Sequence, residues 1–161
     1  MPQDITLHDG ALDFDFVIGD WTVRHRQLRK RLAGETGWTE FSGSSNTAKI
    51  LAGQGNLEET EIRTPRGTYH GSALRLYDPK VRLWSIYWMD SRFPRLDTPV
   101  VGRFEDGIGR FYGDERFEDK IVRLRLTWTP ISTAECRWDQ AYSPDGGDSW
   151  ETNWIMEFTR T

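Results

Sequence analysis

The sequence predicts an all-β protein: a single antiparallel up-and-down β-barrel of about ten strands with a short N-terminal helical turn. Three observations carry that expectation. Gly and Pro, 15 and 7 in number, are spread over all 161 residues and punctuate the chain at roughly the 8–15-residue spacing of all-β proteins. The runs between these breaks are rich in Val, Ile, Thr, Trp, Tyr and Phe and often alternate with polar residues, as half-buried strands do. Every connection is short enough for a hairpin, and none is long enough for a helical crossover.

Each element follows in order. Residues Leu12 to Ile18 form a short approach that fits one helical turn. The first strand, 20–31, ends at Ala33-Gly34, and the second, 38–50, ends before the break from Gly53 to Asn56. The third, 55–63, stops at Pro65-Arg66-Gly67, and the fourth, 68–77, at Asp78-Pro79. Strands at 82–90 and 98–105 precede Asp106-Gly107, a hairpin dipeptide. Strands at 109–117, 121–129 and 134–143 lead to Asp145-Gly146-Gly147, and the last strand covers 149–160. The whole chain, 1–161, reads as one domain in which 1–11 is a loosely ordered arm. Ten meandering strands avoid exposed edges by closing on themselves. More than eight strands leave an interior wide enough to enclose a cavity.

Strand periodicity assigns the inward faces. Trp21, Val23, His25 and Gln27 share one stripe; Val122, Leu124, Leu126 and Trp128 another; Cys136, Trp138, Gln140 and Tyr142 a third. In the last strand Trp150, Trp154, Met156 and Phe158 lie opposite Glu151, Asn153 and Glu157. The fifth strand is two-sided, with Trp84, Ile86 and Trp88 on one face and Leu83, Ser85, Tyr87 and Met89 on the other. Strands two to four, carrying Ser42, Ser44, Glu59, Glu61, His70 and Arg75, do not resolve by pattern and are expected to form a wetter wall. Rings with a few polar groups among them are the usual lining of a small-molecule pocket, and a filled aromatic core is the competing expectation.

Composition narrows the function classes. The net charge is −4 and the pI about 5.4, so no broad cationic face is expected and nucleic acid is not an expected partner. No apolar run is long enough to span a bilayer and the N-terminus lacks a secretory pattern, so no membrane association and a cytoplasmic location are expected. One cysteine, Cys136, excludes a disulfide framework, and no H-x-H, H-E-x-x-H or C-x-x-C occurs, so no metal site is expected.

Phe14 to Trp21 reads FDFVIGDW, and its Gly19-Asp20-Trp21 resembles the G-x-W opening of the lipocalin and fatty-acid-binding (calycin) barrels. In those families the Trp plugs one barrel end beneath a basic residue of the last strand, a place that Arg160 occupies here. With GSALRLYDP at Gly71 to Pro79, WSIYW at Trp84 to Trp88 and SPDGGDSW at Ser143 to Trp150, the chain resembles a family of uncharacterised bacterial proteins assigned to a lipocalin-like barrel. The resemblance implies a fold and carries no catalytic residue. Ser143 to Trp150 also matches the Asp-box of sialidase propellers; as a single copy it implies a structural hairpin. The related ten-stranded nitrobindin barrels bind haem through one His, but their G-x-W-x-G-x-G opening is absent, Thr22 and Val23 following Trp21.

The expected function is therefore binding of a small apolar or aromatic molecule inside the barrel, with no cofactor. Trp84, Trp88, Trp138 and Trp154 would supply flat walls, and His25, Gln27 and Gln140 would orient the ligand. Arg75 would pair with a ligand carboxylate if it faces inward, or with a surface acid if it faces outward. The alternatives are a cofactor-independent isomerase, cyclase or hydrolase using His25 or His70 as base, with Glu59, Glu61 or Asp90 to orient it, a haem-binding barrel, or a solid scaffold. Outward Leu28, Leu83, Tyr87 and Met89 would mark a homodimer contact.

Overall fold

The computed structural model describes residues 9–161. Its ten strands are β1 (Gly19–Leu28), β2 (Trp38–Ile50), β3 (Gly55–Thr64), β4 (Gly67–Asp78), β5 (Leu83–Asp90), β6 (Val100–Glu105), β7 (Ile108–Phe117), β8 (Lys120–Pro130), β9 (Glu135–Ser143) and β10 (Glu151–Arg160). Each is antiparallel to the next, and β1 pairs with β10 from Trp21↔Arg160 to Gln27↔Trp154, closing the barrel. Closure leaves no edge among the described strands to pair with another chain. A short helical lead-in of two 3-10 turns, Asp9–Leu12 and Asp15–Val17, precedes β1. The expected hairpin at Asp106-Gly107 has both residues at positive φ, 52° and 77°, the geometry that lets a two-residue turn follow the strand twist. No described helix is long and apolar enough to cross a membrane.

The lead-in seals one end of the barrel. Phe14 meets Trp84 at 5.0 Å, Phe104 at 4.8 Å and Trp128 at 6.0 Å, each near 90°, the edge-to-face geometry that the ring quadrupole favours. Trp21 Nε1 donates to Val17 O at 2.9 Å, and the Arg160 guanidinium lies 4.1 Å from the Trp21 ring. Arg160 also donates to the carbonyls of Ile18, Phe16 and Thr133. Gly19 sits at φ +119°, and a Cβ there would stand 2.6 Å from Arg160 Nη1. The glycine and tryptophan of the G-x-W opening are thus both parts of one cap. Most of the arm expected over 1–11 lies outside the described residues, but Gly10 accepts the Trp84 Nε1 hydrogen bond and Ala11 is buried.

The expected inward stripes of β1, β8 and β9 are observed, with Trp21, Val23, His25, Val122, Trp128, Cys136 and Trp138 all buried. The last strand departs from its simple pattern. A register shift between Thr152 and Trp154 makes Asn153 an extra residue, which reverses the alternation before it. Trp150 therefore lies outside the barrel interior, over the Arg125 guanidinium at 4.3 Å and beside Tyr112. Asn153, expected outside, is fully buried. Leu28 is also buried, so it offers no surface for a dimer contact; Leu83, Tyr87 and Met89 are half-buried opposite the Trp84, Ile86 and Trp88 face.

Candidate functional site

Above the sealed floor the barrel is hollow. A cavity of about 1450 Å³ opens at the opposite end, where the β1–β2, β3–β4 and β5–β6 connections stand. Hollow and filled interiors therefore coexist, stacked along one axis.

The four indoles expected to form the wall divide between the two. Trp88, Trp138 and Trp154 line the cavity with Leu126 and Met156, and Trp138 meets Trp154 edge to face at 5.5 Å. Trp88 has room because Gly71 faces it: a Cβ at Gly71 would collide with the indole, and Trp88 Nε1 donates to Asp90 Oδ2 at 3.1 Å. Trp84 does not line the cavity. It is 1% exposed, packed on Phe14 and bonded to Gly10 in the floor.

The wetter wall of β2 to β4 is present, but of the residues expected there only Arg75 belongs to it. Pairing of Thr47 with Glu58 and of Asn56 with Arg75 turns Ser45, Thr47, Asn56, Glu58, Thr60 and Arg75 inward, whereas Ser42, Ser44, Glu59, Glu61 and His70 face out. Arg75 lies at the deep end of the cavity, 1% exposed. Its Nη2 meets Glu58 Oε1 at 3.2 Å and its Nη1 donates to Asn56 Oδ1 at 2.8 Å. Ser45 Oγ donates to the other Glu58 oxygen, and the guanidinium lies 5.2 Å from the Phe14 ring and 5.1 Å from Trp128. Pairing with additional hydrogen bonds is what makes two buried charges tolerable. Because Arg75 already has a carboxylate partner, it is a donor at the deep end without uncompensated charge.

Gln27 and Gln140 line the cavity, and Gln140 Nε2 donates to the buried Asn153 Oδ1 at 2.9 Å. The bulge in β10 thus supplies the partner that fixes the Gln140 amide. His25 is fully buried behind the wall rather than in it, stacked on Phe41 at 4.7 Å with 12° between the planes. Trp154 Nε1 donates to His25 Nδ1 at 3.1 Å, which places the imidazole proton on Nε2. Burial, with a smaller contribution from Arg63, lowers its pKa from 6.5 to about 4. Nε2 has no partner and is crowded by Gly43, where a Cβ would stand 2.9 Å away.

His70 faces outside, along a shallow groove with Asp20, Glu59 and Glu61. The structure therefore does not bring the two histidines together, and neither lines the cavity. That geometry does not fit axial ligation of a haem inside the barrel. Among the described residues no three His, Cys, Asp or Glu side chains are grouped to hold a metal ion. Burial pushes the Cys136 thiol up to about 12, which keeps it protonated at neutral pH.

The mouth is polar. Arg92 pairs with Asp90 at 3.0 Å and lies 3.7 Å from the Tyr69 ring, while Arg31 donates to the Tyr142 hydroxyl at 2.6 Å. Burial raises the pKa of Glu115 beside them. In the adjacent β9–β10 hairpin, Ser143 Oγ and the Ser149 N–H and hydroxyl donate to Asp145, and Gly147 N donates to Ser143 Oγ. These bonds, those from Ser149 first, hold Asp145 down at about 2.

A solved protein shares this architecture. The S-type phycobiliprotein lyase CPES from Guillardia theta superposes with a TM-score of 0.61 over 92% of this chain and 90% of that one, at 10% sequence identity. At that identity the likeness is one of fold alone. No family model matches the sequence, and no curated protein matches it.

Sequence reasoning did not identify Phe41, Glu58 or the arginines around the mouth. Adjacent Glu58 and Glu59 in one strand carry a usable signal, since neighbouring strand residues face opposite ways and one carboxylate must point inward. Nothing comparable marks the mouth arginines, because connections have no fixed periodicity.

Proposed function

We propose that the protein binds a small apolar or aromatic molecule inside the barrel. The observation that carries this reading is the open cavity of about 1450 Å³ walled by Trp88, Trp138 and Trp154. A space of that size, with aromatic rings along its wall and polar groups at its mouth and deep end, suits a ligand held by desolvation and oriented by hydrogen bonds. Gln140, Gln27 and the Arg75 end of the cavity are the orienting groups in this reading. Catalysis has less support: His25 is neutral and walled off by Phe41, and His70 is on the other side of the sheet. The name of the phycobiliprotein lyase neighbour marks this architecture as compatible with enzyme function but assigns none to this chain. The G-x-W cap fits membership of the lipocalin-like bacterial family, and a single buried free cysteine fits a reducing cytoplasm.

Titration with neutral phenylnaphthylamine tests the reading. Saturable quenching of tryptophan emission and a raised melting temperature are expected, both weakened by Leu126→Trp, which fills the cavity. No quenching and no thermal shift with this probe, together with native mass spectra free of any retained small molecule after purification from the natural host, would overturn it.

A further inference from the structure

The chain carries a net charge of −4, yet the residues around the cavity mouth reverse that sign. Six arginines stand there, Arg29, Arg31, Arg66, Arg92, Arg95 and Arg116, against the four carboxylates of Asp90, Asp97, Asp114 and Glu115. Two of those acids are already engaged, Asp90 with Arg92 and Asp114 with Arg123, and Arg31 is bonded to Tyr142. Among the described residues Arg29, Arg66, Arg95 and Arg116 enter no ion pair. All four are exposed. They come from separate parts of the rim: Arg29 follows β1, Arg66 lies between β3 and β4, Arg95 between β5 and β6, and Arg116 near the end of β7.

Like charges gathered around one opening repel each other. Around a cavity with low-dielectric aromatic walls they focus a positive potential into the entrance. A planar guanidinium with its fork of donors is the side chain best matched to a carboxylate, phosphate or sulfonate. At the deep end the charge of Arg75 is already balanced by Glu58.

Resting on the cavity-binding reading, we propose that the occupant is an organic anion. Its apolar or aromatic body lies between Trp88, Trp138 and Trp154, and its acidic group is held at the mouth by Arg66, Arg95 and Arg116, with Arg29 adding to the field.

A pair of probes with nearly the same rings separates this from apolar binding alone: anilinonaphthalene sulfonate carries an anion, and phenylnaphthylamine is neutral. Each is titrated into the intact protein and into the triple variant Arg66→Gln/Arg95→Gln/Arg116→Gln, whose melting temperature is expected to match the parent. The expected result is sulfonate affinity about tenfold above that of the neutral probe at low salt. That advantage should fall in the triple variant and in high salt, while the neutral affinity stays unchanged. Excess neutral probe should displace the sulfonate, placing both in one cavity. Equal affinities in the parent, an advantage that survives the triple substitution, or failure of displacement would each overturn the anion inference while neutral binding keeps the cavity reading intact. Failure of both probes to bind, together with native mass spectra free of any retained small molecule, would overturn both.

Discussion

At the sealed end of the barrel, rings from the lead-in and from facing strands meet edge to face around Phe14, and the indole N–H groups of Trp21 and Trp84 each donate to a carbonyl of the lead-in. At the open end, strands of the same sheet carry the same ring types, but Trp88, Trp138 and Trp154 face space rather than one another's full surface. The difference does not come from composition, since both ends are aromatic. It comes from the lead-in. Residues 10–17 insert side chains into one end only, and among the described residues no equivalent segment enters the other. Ring packing is therefore concentrated where the barrel is filled, and the space proposed to hold a ligand lies where it is hollow.

The largest test of that contrast is at the floor. Phe14→Ala removes the ring on which Trp84, Phe104 and Trp128 converge, and a cost of about 3–5 kcal/mol is expected in denaturant unfolding. Arg75→Met alone should cost a similar ~3–5 kcal/mol by leaving Glu58 buried and unpaired. Combining it with Glu58→Leu should recover most of the loss, and a double variant no more stable than the single would show that the pair is not the source of the effect.

Between floor and mouth, His25 sets a pH dependence. Its folded pKa of about 4 lies below the ordinary 6.5, so the unfolded chain takes up the proton first as pH falls. The contribution of neutral His25 is whole above about pH 6.5 and is lost progressively toward pH 4, by on the order of 3 kcal/mol. Urea midpoints at pH 7 and pH 4.5 should therefore separate the parent from His25→Gln, the variant showing the flatter profile.

Asp145→Ala should have a smaller effect, a lower melting temperature with cavity-probe affinity unchanged. The stability that Asp145 provides is present above its ordinary pKa of 3.8 and disappears as pH falls toward about 2. Lost probe binding at constant melting temperature would give this hairpin a functional role instead. Smallest of all, single substitutions such as Arg66→Gln at the rim should change stability by no more than about 0.5 kcal/mol. A larger loss would mean that the mouth arginines are structural, and would erase the distinction between the two ends.

Much of the barrel is legible in strand alternation. The stripe Trp21-Val23-His25 and the stripe Val122-Leu124-Leu126-Trp128 need only a period of two, and Asp106-Gly107 marks its own turn. The pattern misplaces Trp150 and Asn153 because one extra residue at a bulge reverses the phase, and Asn153 looks in the sequence like any outward polar residue. His25 illustrates a second limit: alternation puts it on the inner face, but only its stacking on Phe41 removes it from the cavity wall.

Local chemistry along the chain is enough to specify ten strands, their turns and most of the inward faces, because side-chain alternation and turn dihedrals are properties of neighbouring residues. Which indole lines the cavity and which fills the floor, which glutamate neutralises Arg75, and which arginines share the opening depend on segments distant in sequence. Those outcomes were settled when the barrel closed, since only closure and the insertion of the lead-in set the distances between strands that never touch along the chain.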